Sequence, residues 1–214
     1  MPNVSPTIYT VDDDESFRAG LANLLGACGY GVKQYASAEQ LLKDPPIGEF
    51  GCILLDLRMP GLSGLELQNQ LALLGCTMPV IFVSGRRDIA ATVKSIKAGA
   101  EDFLTKPISK KGLLASIEAA LARCKETQER NTRIASLRLL HSGLTPRENE
   151  VFALLVRGKP HKQIAHVLGN SERTVKMHRH NLIEKFKVRS LAELTMIAER
   201  LGLLSSNGAS QSDG

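Results

Sequence analysis

The sequence contains no tryptophan, and its aromatic residues are limited to three tyrosines and six phenylalanines. Flat side chains that stack on unpaired bases are scarce, so a protein that grips single strands by stacking is disfavoured. The four cysteines, Cys28, Cys52, Cys76 and Cys124, are widely spaced, with no CxxC pair and no Cys/His cluster. A disulfide scaffold is thereby excluded, and reduced thiols are expected. No apolar run approaches the ~20 residues that span a bilayer, and Met1–Thr10 lacks a basic region leading into an apolar stretch. A soluble, cytoplasmic chain with no membrane partner is the expectation.

What is present is a chain of 214 residues with 43% apolar and 23% charged side chains, which excludes a wholly disordered chain and a collagen. That length suits one large or two small domains at roughly 100–200 residues each. The formal net charge of +5 divides unevenly. Residues 1–126 carry 13 basic and 14 acidic side chains, and residues 127–214 carry 14 basic and 8 acidic ones together with all five histidines. A near-neutral module joined to one that seeks a polyanion is the reading.

Five short apolar runs, Thr7–Val11, Gly31–Tyr35, Cys52–Leu55, Pro79–Val83 and Asp102–Thr105, alternate with helical patterns. These lie near Ser16–Ala27, Ser37–Lys43, Gly64–Leu74 and Asp88–Ala98, with another from about Ser109. Such strands need βαβ crossovers, hence a parallel sheet covered on both faces. Ser37-Ala-Glu-Gln40 has the capping-box pattern, and Gly29, Gly75 and Gly99 follow apparent helix ends. The fold class expected is α/β, a five-stranded doubly wound sheet, followed by an all-α domain.

In doubly wound sheets ligands bind at the carboxyl ends of the strands. Asp12 and Asp13 follow the first strand, Asp56 ends the third, Ser84 ends the fourth, and Lys106-Pro107 follows the fifth. Gathered carboxylates repel unless a cation sits among them, and Mg2+ suits because it takes few carboxylates and keeps positions for water and phosphate oxygens. Asp56, followed by the turn Met59-Pro-Gly-Leu-Ser-Gly64, is the candidate nucleophile toward phosphorus. Lys106 would neutralise phosphate oxygens and Ser84 donate to one. Asp14 and Glu15 are better read as acidic complements to a helix N-terminus.

Taken together, Asp12-Asp13, Asp56 with Met59-Pro60-Gly61, Ser84, Ala98-Gly99-Ala100 and Lys106-Pro107 resemble the receiver domain of two-component response regulators over residues 7–122. The resemblance implies a flavodoxin-like fold in which Asp56 accepts a phosphoryl group from a sensor histidine kinase. It implies that Asp12, Asp13, Asp56 and the Arg58 backbone carbonyl hold Mg2+, that Ser84 is the switch hydroxyl, and that Phe103 is the switch aromatic.

From Leu144 the period changes and strand signals end. Thr145-Pro146-Arg147-Glu148 combines a cap, a first-turn proline and a capping-box glutamate, and Gly158 ends that helix. A short helix at His161–Leu168, a turn at Gly169-Asn170, and a longer helix at Glu172–Phe186 capped by Ser171 form a helix-turn-helix pattern. A last helix capped by Ser190 ends before Gly202. On the longer helix Val175, Leu182 and Phe186 share an inward stripe, and Arg173, Lys176, Met177 and His180 an outward one. Residues 157–189 hold nine Lys/Arg against two Glu, which suits insertion in the major groove of double-stranded DNA.

Leu144-Thr-Pro-Arg-Glu148, Lys162-Gln-Ile-Ala165, Ser171 with Thr174-Val-Lys176, His178-Arg179 and Val188-Arg-Ser190 resemble the LuxR/NarL-type DNA-binding domain. With the receiver in front, the chain looks like a FixJ/NarL-class response regulator. That resemblance implies base contacts by Lys176, Met177 and His180, backbone contacts by Thr174, Arg179 and Lys185, dimerisation on phosphorylation, and RNA polymerase as a further partner. Asn170 departs from it, standing where an apolar residue is usual.

The expected division is 5–122 receiver, 123–143 helical linker, 144–203 DNA-binding domain and 204–214 disordered tail. Leu114, Ile117, Leu121 and Cys124 follow an a/d spacing that turns polar at Gln128 and Asn131 and resumes at Ile134 and Leu137. The linker is either one long helix able to pair in a dimer or a helix frayed near 127–133. Two rivals remain in view. A haloacid-dehalogenase-like phosphatase needs a second acid two residues after the nucleophile, where Arg58 stands. A constitutive DNA-binding protein, its receiver serving only as a dimerisation or docking module, would have no need of Lys106 and the acidic pair.

Overall fold

The computed structural model describes residues 5–85 and 99–204. The helix expected over Asp88–Ala98, Arg86 and the tail Ser205–Gly214 lie outside the described residues. The chain divides into two compact units, Met1–Glu129 and Arg130–Gly214.

The first unit runs β1 (Thr7–Val11), α1 (Glu15–Ala27), β2 (Gly31–Tyr35), α2 (Ala38–Lys43), β3 (Gly51–Asp56), α3 (Gly64–Leu73), β4 (Val80–Ser84) and β5 (Asp102–Thr105), then enters helix α4 (Lys110–Ser142). The strands form one parallel sheet in the order β2-β1-β3-β4-β5. Alternation sorts the side chains. Tyr9, Val11, Ile53, Leu55 and Phe82 pack with Ala38, Leu41, Leu67 and Leu71 of α2 and α3. Ile8, Cys52, Leu54 and Ile81 pack with Leu21 and Leu25 of α1 and Leu113, Ile117 and Ala120 of α4. Covered on both sides, β3 is buried throughout, which is why its sequence is an unbroken apolar run ending in a single aspartate.

Local chemistry sets the ends of the elements. Asp14 caps α1 by accepting the Phe17 N–H at 3.0 Å. Ser37 caps α2, yet Gln40 reaches the Ala36 N–H at 2.8 Å instead of closing the expected box on Ser37. A reciprocal box forms at Ser63 and Glu66, where the sequence suggests only a turn. Gly29 and Gly75 take positive φ after their helices, as expected of helix-ending glycines.

Helix α4 is unbroken through 127–133. The apolar spacing along its first half is spent within its own unit: Ile117 lies in the core, and Leu114 and Leu121 pack against it. Where the spacing turns polar, the Gln128 side-chain amide donates to the Gly48 and Glu49 carbonyls at 3.2 and 2.9 Å. No helix among the described residues is long and apolar enough to cross a membrane.

The second unit adds α5 (Pro146–Leu155), α6 (His161–Leu168), α7 (Glu172–Phe186) and α8 (Leu191–Arg200). Val151, Phe152, Leu155, Ile164, Val175, Leu182, Phe186, Leu194 and Ile197 form its core, with Leu137 from the end of α4 against it. Thr145, Ser171 and Ser190 cap α5, α7 and α8. Gly169 turns left-handed after α6, and the Asn170 N–H closes that helix on the Ala165 carbonyl at 2.8 Å. The three capped helices start where their capping residues place them, and α6, which has no side-chain cap, still spans the expected His161–Leu168.

Candidate functional site

Strand register builds the acidic site. Val11 pairs with Leu55, so Asp12, one residue beyond β1, stands beside Asp56 at the end of β3. Asp56 pairs with Val83, placing Ser84 one step further, and Ser84 pairs with Thr105, which brings up Lys106. Asp12 and Asp56 are buried and Asp13 is exposed, and each offers a carboxylate oxygen within 4.8 Å of the others. The Lys106 ammonium lies 2.6 Å from Asp12 Oδ2 and 3.0 Å from Asp56 Oδ2. It also stands 3.9 Å from the centroid of the Phe17 ring, whose π face adds a further attraction. A cis peptide joins Lys106 to Pro107.

Burial and hydrogen bonding divide the electrostatics. Burial lifts the Asp12 carboxyl above its usual range, and the Asp56 charge adds to the lift, while Lys106 and the Asp14 N–H work against it. Burial acts to lower Lys106, but the two carboxylates outweigh it and hold the ammonium above its ordinary value. The backbone orients both acids. Asp12 Oδ1 accepts the Asp14 N–H at 2.9 Å, Asp56 Oδ1 accepts the Arg58 N–H at 2.9 Å, and the Arg18 guanidinium donates to the Asp12 carbonyl.

Three hard oxygen donors on strand ends and a following loop fit a small divalent cation that keeps several waters. Among the described residues, the three carboxylates meet the Lys106 ammonium, with the Arg18 guanidinium on the Asp12 carbonyl, and such an ion would neutralise charge that remains. The loop after Asp56 is pinned on both sides: Leu57 donates to the Val83 carbonyl at 3.1 Å, and Glu39 of α2 accepts the Leu62 N–H at 3.3 Å. Ser84 is buried at the end of β4, and Phe103, half-buried, lies second in β5, paired with Phe82.

Gly64 opens α3 against this loop. A Cβ there would lie 2.4 Å from the Asp56 carbonyl oxygen, 3.0 Å from the Phe82 ring and 3.1 Å from Leu57 Cα. Gly64→Ala is expected to push the loop outward at a cost of about 1–3 kcal/mol. Denaturant unfolding of the first unit measures that loss, and the same variant should bind Mg2+ more weakly by titration. Unchanged stability and unchanged affinity would show that the loop yields freely.

On α7, Val175, Leu182 and Phe186 are buried, whereas Arg173, Lys176, Met177 and His180 are exposed and Thr174 and Arg179 half-exposed. The Thr174 and Ser171 hydroxyls are 2.9 Å apart at the helix start. Among the described residues, Lys185 is the one cation of the expected contacts that is ion-paired, 2.6 Å from Glu148 of α5. Phe17, Arg18 and Glu39 carry no sequence signal for these roles, because their partners come together only through the fold.

The response regulator receiver domain model matches residues 8–118, and the luxR family model of bacterial regulatory proteins matches residues 142–198. The response regulator protein TodT of Pseudomonas putida is 41% identical over 94% of this chain and 88% of its own. The transcriptional regulatory protein FixJ of Azorhizobium caulinodans is 38% identical over 98% and 99%. Among solved structures, the response regulator StyR is 43% identical, covers 92% of this chain and 100% of its own, and superposes with a TM-score of 0.77.

Proposed function

The chain belongs to the response regulators that join a receiver domain to a LuxR-type DNA-binding domain, a family of transcription regulators rather than enzymes, and from that premise we propose how its own residues act. The observation that carries the proposal is the single ammonium of Lys106 shared between Asp12 and Asp56 at 2.6 and 3.0 Å. It is the arrangement of a site awaiting a new anionic group.

Asp56 is the phosphoacceptor. Its carboxylate oxygen attacks the phosphorus of a phosphohistidine on the cognate sensor kinase. A P–O bond forms as the P–N bond breaks, and the phosphohistidine ring, protonated beforehand on its other nitrogen, leaves as neutral imidazole. Asp12, Asp13, Asp56 and the Arg58 carbonyl would hold Mg2+, which supplies charge neutralisation for the phosphoryl oxygens. Lys106 moves from the two carboxylates to a phosphoryl oxygen, the Ser84 hydroxyl donates to another, and Phe103 follows the shift.

The receiver takes residues 5–122, the linker 123–143 and the reader 144–203. Dimerisation of phosphorylated receivers brings two copies of α7 onto successive major grooves, about 34 Å apart. Lys176, Met177 and His180 meet base edges, and Thr174 and Arg179 meet phosphates. The partners are double-stranded DNA, the sensor histidine kinase, a second copy of the chain and RNA polymerase, in the cytoplasm.

The test uses a small-molecule phosphodonor. With Mg2+ the chain should gain one phosphoryl group, dimerise, and hold a retained genomic fragment about tenfold more tightly, ~1.4 kcal/mol. With EDTA it should gain nothing. Phosphorylation that leaves the oligomeric state and DNA affinity unchanged would overturn the switch.

A further inference from the structure

The first turn of α5 touches both helices of the helix-turn-helix. Arg147 donates through its guanidinium to the Leu168 carbonyl, one of the groups left without a helical partner at the end of α6. The same guanidinium is steadied by Glu150 at 2.7 Å. Glu148, next in sequence, accepts from the Thr145 N–H at 2.9 Å and the Thr145 hydroxyl at 3.0 Å, closing the cap of α5. The same oxygen, Oε2, lies 2.6 Å from the Lys185 ammonium near the end of α7.

Burial makes this more than a surface pair. The Glu148 side chain is 7% exposed, while Lys185 is 42% exposed. The hydrogen bond from Lys185 holds the Glu148 carboxyl below its ordinary value. Lys185 is the one cation paired with Glu148 among the described residues, and a buried carboxylate deprived of its cation is costly, so the pair fixes where the end of α7 sits. Lys185 lies on the basic helix, but its charge is committed inward.

We infer that Lys185 and Glu148 are positioning residues for DNA reading: together with Arg147 they fasten α6 and α7 to the first turn of α5 and set how the reading helix is presented. The inference rests on the reading of α7 as the DNA-contacting helix. Lys185 therefore contributes to affinity through the placement of Lys176, Met177 and His180, without neutralising a phosphate itself.

The test uses the full phosphorylated chain and a duplex that the unsubstituted protein enriches from a random-sequence pool. Binding is measured across a salt series, at a temperature where melting shows every variant folded. Lys185→Met should weaken binding about tenfold with the slope of log K against log salt unchanged. Glu148→Gln, which keeps an acceptor for Thr145, should do the same, and Lys185→Arg should retain full affinity. A slope shallower by about 0.9 in Lys185→Met marks a lost phosphate contact and overturns the inference. Unchanged affinity in the folded variants reduces the pair to a stabilising contact and overturns it too. If no duplex is enriched, the DNA-reading role itself fails, and the inference goes with it.

Discussion

Asp56→Asn, treated with phosphodonor and Mg2+, should take up phosphoryl groups about a thousandfold more slowly than the unsubstituted chain, ~4 kcal/mol in barrier. Its DNA affinity should stay at the unphosphorylated level. The substitution preserves shape: the carboxamide oxygen can still accept the Arg58 N–H, now at 2.9 Å from Oδ1. What it removes is the anionic nucleophile, one of three carboxylate donors and one of the two anions that hold Lys106. Phosphate-sensitive gel mobility follows uptake, and anisotropy of a labelled duplex follows binding. Uptake at the unsubstituted rate would move the phosphoacceptor to another residue and sink the assignment.

The acidic site is legible in the sequence because strand ends carry it. Each of its members follows or ends a short apolar run, so the order of the runs alone places Asp12, Asp56, Ser84 and Lys106 on one edge. The helix ends of the second unit are legible for the same local reason, since Thr145, Ser171 and Ser190 each accept a backbone N–H three residues on. What escapes the sequence is whatever depends on a partner far along the chain. Phe17 beneath Lys106 is one case. Lys185 is another: the resemblance implies one more backbone contact there, and nothing local reveals Glu148, 37 residues away.

Helix α4 shows the same limit in a different form. The a/d spacing of Leu114, Ile117, Leu121 and Cys124 suits a seam between two helices, and in isolation that reading and a packed face on a sheet are indistinguishable. The structure spends the stripe on the sheet. The polar break at Gln128 is then no weakness, because its amide satisfies two carbonyls of the loop before β3. A helix that would fray alone is held across its polar stretch by bonds on one side and by the reader core, reached at Leu137, on the other.

That reader core leads to the second large effect, at Phe152. The ring is 1% exposed; it stacks on Phe186 of α7 with centroids 5.6 Å apart and meets His141 of α4 edge-on at 5.3 Å. One side chain of α5 thus packs between the reading helix and the last turn of the long helix. Phe152→Ala removes the ring from both contacts and leaves a cavity that close-packed neighbours fill only in part, at a cost of about 3–5 kcal/mol. For a unit of this size such a loss lowers the melting temperature by at least about 12 °C, and DNA binding should vanish at temperatures where the unsubstituted reader is folded. Phosphoryl uptake at Asp56 should be unaffected, because the core residues of the first unit belong to separate clusters. Calorimetry resolves the point: one transition should fall and the other stay. If both fall together, the two units fold as one, and the independence of switch and reader must be given up.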